Sequence, residues 1–352
     1  VNISGPGVKA INMIVHDNGG NGFGVWSQAP DAEVYGSVVY NNGRQRVTSG
    51  YAHGIYTQND QGSKLFQDNI VFHQFGYGIH AYAEEGSIAH MTFDGNVSFD
   101  NGVGTTDPEK AQPDLFVGGM TPLRDVTITN NMTWHVGYGG GSVWIGYASC
   151  RCTGAGVVLQ HNYFVGGTPV LRLESLAGVR ATWNTLVGPG RKASIIEESG
   201  APAEFFWRGN IYYGDETERE FQWDGDTYTF AAWRSSTGFG ARDGYGGPRP
   251  VDTRVFVRPN RYEPGRANVV VYDWDGTSSV SVDLSNVLQP GDAYEIRNVQ
   301  SWFAAPVAAG VYTGALVPFP MTPVVPPAPQ GGWVVTPPLT EPRFGAFVVL
   351  RR

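Results

Sequence analysis

Eight times between residues 12 and 214 the chain repeats one short phrase: an Asn, once a Ser, then a three-residue strand, then a polar or glycine turn. The phrases are NMIVH from Asn12, SVVYN from Ser37, NIVFH from Asn69, NVSFD from Asn96, NMTWH from Asn131, NYFVG from Asn162, NTLVG from Asn184 and NIYYG from Asn210. Successive steps of 25, 32, 27, 35, 31, 22 and 26 residues are the period of a solenoid. The first and third residues after the Asn are mostly bulky and apolar, as in Met13 and Val15, Ile70 and Phe72, or Val97 and Phe99. Such alternation in a short run predicts a strand that turns those two side chains into a core. A second apolar pair precedes the Asn, as in Met91 and Phe93 or Val126 and Ile128, so each Asn falls at a bend between two strands. Stacked coils bring equivalent bends within ~4.8 Å of one another. Amides at that spacing hydrogen-bond up the stack and satisfy buried carbonyls, so the expectation is an internal asparagine ladder.

A third strand follows each phrase after a loop of variable length: GVWSQ from Gly24, GIYTQ from Gly54, GIHAY from Gly78, SVWIG from Ser142 and LRLES from Leu171. Three strands per coil, with equivalent strands stacked in parallel, give a right-handed parallel β-helix. Neither leucine spacing nor a helical period is present, which argues against leucine-rich and ankyrin solenoids. With HGIYTQN at His53 and YGIHAYA at Tyr77, the chain resembles the pectate-lyase-like β-helix superfamily, and more closely the secreted bacterial right-handed β-helix repeat proteins. The resemblance covers residues 1–225 and implies a polysaccharide as partner and a secreted or cell-surface location. That superfamily hosts lyases, hydrolases, epimerases and non-catalytic adhesins, so the fold does not choose the chemistry.

After Tyr213 the repeat fades into a connector over 226–248. From Arg249 to the C-terminus the runs RVFVRPN, ANVVVYDWD, SVSVDLSNVL and AYEIRNVQ alternate in period two between PG and DG turns, which predicts an antiparallel β-sandwich over 249–352. This part resembles the accessory sandwiches of bacterial glycan-active enzymes. The fold class is therefore all-β, a parallel β-helix followed by a sandwich. All seven His lie at or before His161, so any imidazole chemistry belongs to the β-helix.

Composition narrows the partners. The 48 Gly supply turns, and a net charge of −8 argues against nucleic acid. No run of ~18 apolar residues is present to span a membrane as a helix. Cys150 and Cys152 form either a small loop disulfide or two free thiols; a CxC without further ligands is poor evidence for a zinc site. The chain opens at Val1 inside the first repeat, and the expectation is that upstream residues were processed off or left out, with end-to-end self-association as the alternative.

Inward positions of a β-helix are filled by packing, so function falls to the outward positions and loops. The third strand is expected to turn out Trp26, Tyr56, His80 and Trp144, with Gln58 and Tyr82 two residues further on and Arg172 extending the face. Aromatic rings interleaved with amides and charges suit a sugar chain. Coil three has a short loop, whereas coil two inserts GRQRVTSGYAH and coil four VGTTDPEKAQPD, which predicts two walls around a floor. The floor carries His80, Tyr82 and Glu84, the next coil adds His53, Tyr56 and Gln58, and the walls add Arg44, Arg46, Asp107, Glu109 and Lys110. His16, His73 and His135 share a turn slot with Asn41, Asp100 and glycines and are structural; His53 and His80 lie outside it.

Two reactions fit such a cleft. A polysaccharide lyase needs a base for the proton α to a uronate carboxylate and groups that neutralise that carboxylate. His53, His80 and Tyr82 are candidates for base and acid, and Arg44 and Arg46 for neutralisation. A glycosidase needs two carboxylates, for which Glu84 with Asp107 or Asp114 is the nearby pair. Calcium is left open as a cofactor, because no clustered acidic ligand set stands out. A non-catalytic glycan-binding or structural rod is the rival reading.

Overall fold

The computed structural model describes residues 1–46, 50–106, 112–136, 140–188, 191–196 and 204–352. Each of the eight phrases contains a strand of one parallel sheet, running Ile14–His16, Val38–Tyr40, Ile70–Phe72, Val97–Phe99, Met132–His135, Tyr163–Gly166, Thr185–Val187 and Ile211–Tyr213. The strand ahead of each bend joins a second parallel sheet and the strand after each loop joins a third, so the chain winds as a parallel β-helix. One apolar core runs down its axis, formed by residues such as Phe66 and Phe93, Val39 and Val71, and Ile55 and Ile79 from the three sheets.

The ladder is continuous. The backbone N–H and Nδ2 of Asn69 donate to Asn96 Oδ1 at 3.1 and 2.9 Å, and those of Asn96 donate to Asn131 Oδ1 at 3.0 Å each. The series runs on through Asn162, Asn184 and Asn210 and ends on the carboxylate of Asp243. Each amide also reaches a carbonyl of the previous coil, Asn96 to Phe66 at 2.8 Å and Asn131 to Phe93 at 2.8 Å.

Two details of the phrase differ from the sequence reading. Val15, Val39 and Val71, the middle residues of their strands, enter the axial core. The first and third residues stand on the outer face; from Val38–Tyr40 to Met132–His135 they are buried there, with Tyr40, Phe72 and Phe99 stacked at 5.1 and 4.9 Å. Both sets are apolar, so alternation alone could not tell inside from outside. In coil one the ladder register belongs to Met13, whose N–H donates to Ser37 Oγ at 3.1 Å, and not to Asn12.

Asn12 occupies a different slot, the residue ahead of each ladder position. That slot is left-handed in every coil: Asn12, Gly36, Asp68, Gly95, Asn130, His161, Trp183 and Gly209 have φ of 54, 61, 55, 66, 54, 55, 58 and 72°. Asn, Asp and Gly tolerate this conformation, which explains their recurrence just before the ladder residue.

At the C-terminal end of the coil stack, the helix Phe230–Thr237 closes the core. Thr229 Oγ1 caps it by accepting from the N–H of Ala232, Gly238 ends it at φ 73°, and Phe230 and Trp233 pack on Phe221. A last parallel strand, Gly244–Tyr245, pairs beside Ile211–Tyr213. The first compact unit comprises Val1–Arg249 and Pro329–Pro337; in the latter, Trp333 packs on His73 with ring centroids 5.2 Å apart. The second unit is the antiparallel sandwich. Its five-stranded sheet, including Arg266–Tyr272 and Phe344–Arg351, shares a core with the pair Ser279–Val282 and Val317–Pro320.

Candidate active site

The third sheet stacks Phe23–Val25, Ile55–Thr57, Ile79–Ala81, Leu115–Val117, Val143–Ile145 and Leu171–Glu174. Its outward register row reads Gly24, Tyr56, His80, Phe116, Trp144, Arg172. The flanking residues Ile79 and Ala81 or Leu115 and Val117 face the axial core. Tyr56, His80, Trp144 and Arg172 fall where the alternation put them.

Trp26 does not share that row. Gly24 holds the row position, and a Cβ there would lie 3.1 Å from the indole of Trp26, which folds back over it. Trp26 Nε1 donates to Asn2 Oδ1 at 3.1 Å, and its ring still reaches Tyr56, with centroids 5.5 Å apart. Phe116 is the residue the sequence reading missed. Its strand was hidden behind the long coil-four loop, although Leu115 and Val117 alternate as Ile79 and Ala81 do.

His80 sits at the centre of the strip, 8% exposed, with rings on every side. Tyr77 stacks on it at 4.1 Å, His53 meets it edge-on at 4.3 Å, and Phe116, Tyr82 and Tyr56 lie at 5.1, 5.2 and 5.5 Å. Its Nδ1 is buried and has no hydrogen-bond partner among the described residues. Burial, with a smaller contribution from His53, holds its pKa well below that of a free imidazole. The ring is thus neutral and deeper in the wall than an outward position suggests.

His53 is half-buried, with Tyr56, Tyr77 and His80 around its ring. The N–H of Tyr77 donates to its Nδ1 at 3.2 Å, so the neutral ring carries its proton on Nε2. Burial pulls its pKa down to about 3. His53 therefore presents an N–H donor. Tyr82 is half-buried beside His80, and its phenol is pushed above the usual tyrosine value by burial and then by Tyr147, Glu84 and Tyr56. Glu84 is exposed at the edge of this cluster and acts on Tyr56 and Tyr82 through its charge.

Both ends of the strip are fixed by polar contacts. Gln58 Nε2 donates to Tyr56 Oη at 3.1 Å. Under them the buried Lys64 ammonium donates to the carbonyls of Val25 and Trp26 at 3.2 and 2.5 Å and to that of Gln58. At the other end Glu174 is buried and accepts from Trp144 Nε1 at 3.1 Å and from the N–H of Ala148 at 3.0 Å. The Arg172 guanidinium lies over the Trp144 ring at 4.7 Å. Tyr147 completes this end, 5.9 Å from both Phe116 and Trp144. It opens the turn that contains the Cys150–Cys152 disulfide, which settles the state of the two cysteines.

Among the described residues, the two long loops meet over the short coil-three turn. The coil-two hairpin pairs Arg44–Gln45 with Gly50–Tyr51, and Arg44 and Arg46 rest on the Tyr51 ring at 4.8 and 3.8 Å. Gly104 of the coil-four loop comes close to Gly50, and its N–H donates to Phe75 O, so both loops close over the short coil-three turn. The arginines therefore sit on the hairpin, and their ring contacts are with Tyr51 rather than with His53, His80 or Tyr82. Asp107, Glu109 and Lys110 lie outside the described residues.

Asp114 is removed from the candidate carboxylate pair. It is fully buried, accepts from Asn101, and pairs with His135 Nδ1 at 3.2 Å. It ends a second ladder, Asn18, Asn42, Gln74 and Asn101, linked by Oδ1 and Oε1 acceptors at 2.7 to 3.2 Å. The signal was in the sequence: Asn18, Asn42, Gln74 and Asn101 each follow the first-ladder register by five residues. Among the described residues no three His, Cys, Asp or Glu side chains converge as metal ligands.

No protein-family model matches this chain, and no curated protein does. Among solved structures, the crystal structure of tailspike protein gp49 from Acinetobacter baumannii bacteriophage Fri1, a capsular polysaccharide depolymerase, aligns over 96% of this chain and 69% of its own, at 12% identity and a TM-score of 0.35.

Proposed function

We propose that this is an extracellular polysaccharide-active protein, a lyase that cleaves uronate-containing glycans along the outer face of the third sheet. One observation carries the reading: two neutral histidines and a tyrosine meet in the middle of an aromatic strip that spans ~19 Å from the Tyr56 coil to the Arg172 coil. Ring faces of Trp26, Tyr56 and Trp144 bind pyranose faces, with Gln58 and Arg172 for hydroxyl and carboxylate groups.

In the reaction, a neutral imidazole takes the C5 proton of the uronate and the C–H electron pair becomes the C4=C5 double bond. The C4–O bond leaves with its electron pair, and the departing oxygen receives a proton from the Tyr82 phenol. His80 Nδ1, which lacks a partner among the described residues, is the acceptor, and His53 Nε2–H is the donor that holds the uronate carboxylate and acidifies the proton. One feature favours the binding-only alternative: Tyr77 stacks on His80, so the base is reached only if that ring moves aside.

The test is a screen of uronate-containing and neutral polysaccharides that follows absorbance of the unsaturated product together with reducing ends. Absorbance rising with reducing ends identifies a lyase; reducing ends alone identify a hydrolase; neither leaves binding. A pH profile adds a second check. The base must be neutral, so activity falls only as pH drops through an imidazole pKa that burial holds well below 6.5. The acid must be protonated, so activity falls only as pH rises through a phenol pKa raised above 10.0. The expected kcat/KM profile is flat from pH 6 to 9, as estimated from ordinary imidazole and phenol values of ~6.5 and ~10 displaced outward. An acid limb near the ordinary imidazole value would remove His80 and His53 from the chemistry.

A further inference from the structure

The left-handed slot ahead of the ladder holds Asn, Gly, Asp or His in seven coils and Trp183 in the remaining one, at φ 58°. A bulky side chain in that region is a genuine outlier, and such strain persists when something else repays it. Burial does not repay it here, because Trp183 is 54% exposed. Its indole lies over Gly209, the same slot of the next coil, where a Cβ would come within 2.6 to 2.9 Å of the ring. The absence of a side chain at Gly209 is what lets the ring lie along the surface with one face open. On the adjoining outer face of the second sheet Phe206 is 43% exposed, and the Arg180 guanidinium lies 4.5 Å from its ring centre. The Nε of Arg208, next to Gly209 in the chain, is buried without a partner among the described residues.

We infer that Trp183, supported by Gly209, is a second glycan-binding platform that takes the pyranose ring of a polysaccharide chain on its open face. It lies at the bend between the second and first sheets, on a different edge of the coil from the strip around His80. A sugar ring fits a single rigid aromatic face, whereas a stable protein interface needs on the order of 1,000 Å² of complementary surface. This inference rests on the polysaccharide class proposed above and not on the lyase chemistry.

Trp183→Asn separates binding from structure, because Asn is the residue that the slot accepts in other coils. The variant is run beside wild type and Trp144→Ala by affinity electrophoresis in gels containing polygalacturonate or xylan, with melting temperature, oligomeric state and turnover measured on the same samples. Expected is a 2- to 10-fold weaker retention, estimated as roughly one lost stacking contact, together with a Tm about 2–4 °C higher from relief of strain and unchanged turnover of short oligosaccharides. A lower Tm would make Trp183 a structural residue. Unchanged retention in Trp183→Asn while Trp144→Ala loses it would leave only the strip, a change of oligomeric state would make the patch a protein contact, and wild type retained in neither gel would overturn the platform. Retention that depends on Trp183, with no turnover, sinks the lyase reading and keeps the platform.

Discussion

Tyr82→Phe is expected to lower turnover on a uronate-bearing chain by ~10²-fold or more, the scale for losing a general acid, with the melting temperature unmoved. Phenylalanine keeps the ring that packs against His80, Phe116 and Tyr147 at 5.2, 6.2 and 6.1 Å and removes only the hydroxyl. Retention of substrate should be nearly unchanged, since the sugar faces stack on rings that remain. Unaltered turnover in this variant would take Tyr82 out of the reaction and leave the strip as a binding surface.

His80→Ala is the blunter partner experiment. The ring is enclosed by five others, so its removal leaves a cavity and should cost roughly 2–5 kcal/mol of stability as well as activity. An outward strand position ordinarily contributes little packing, but neighbouring coils here add large rings on both sides and Tyr77 folds over the top. Activity lost from His80→Ala is therefore interpretable only beside the intact fold of Tyr82→Phe.

The repeat was legible in the sequence because its cause is local. A bend that must present an amide to the coil above and below accepts little besides Asn, and its preceding residue must tolerate a left-handed backbone. What alternation could not decide was which face of the phrase strands looks inward, since Ile70, Val71 and Phe72 are all apolar and all buried. The site was legible where residues sit on strands: His80, Tyr56 and Trp144 occupy one row because the third-strand copies align. It was not legible where loops decide. The placement of Arg44 and Arg46 over Tyr51 follows from a hairpin within an insertion, and the burial of Asp114 from a second ladder whose members are spread over Asn, Gln and Asp. A loop carboxylate and a ladder carboxylate look alike until the stacking register is known.

Asn131→Ala is expected to destabilise the β-helix by about 3 kcal/mol, the upper end of the cost of orphaning buried groups. Asn131 Oδ1 accepts both donors of Asn96 at 3.0 Å, and Asn131 Nδ2 donates to the carbonyls of Phe93 and Thr129 at 2.8 and 2.9 Å. Alanine removes all of these while leaving the partners buried at the bend. At about 2–4 °C per kcal/mol for a unit of this size, the β-helix transition should fall by roughly 6–12 °C. Ser37→Ala provides the internal control. Its hydroxyl accepts from Met13 N–H at 3.1 Å and donates to Tyr35 O at 3.2 Å, in the coil next to the N-terminal end of the ladder. Fewer partners are orphaned there, so its cost should stay near 1 kcal/mol, the worth of a typical hydrogen bond. Equal losses in the two variants would show that the side chains act only by filling space, and an unshifted transition in Asn131→Ala would mean that the backbone pairing of the coils holds the bends without the ladder.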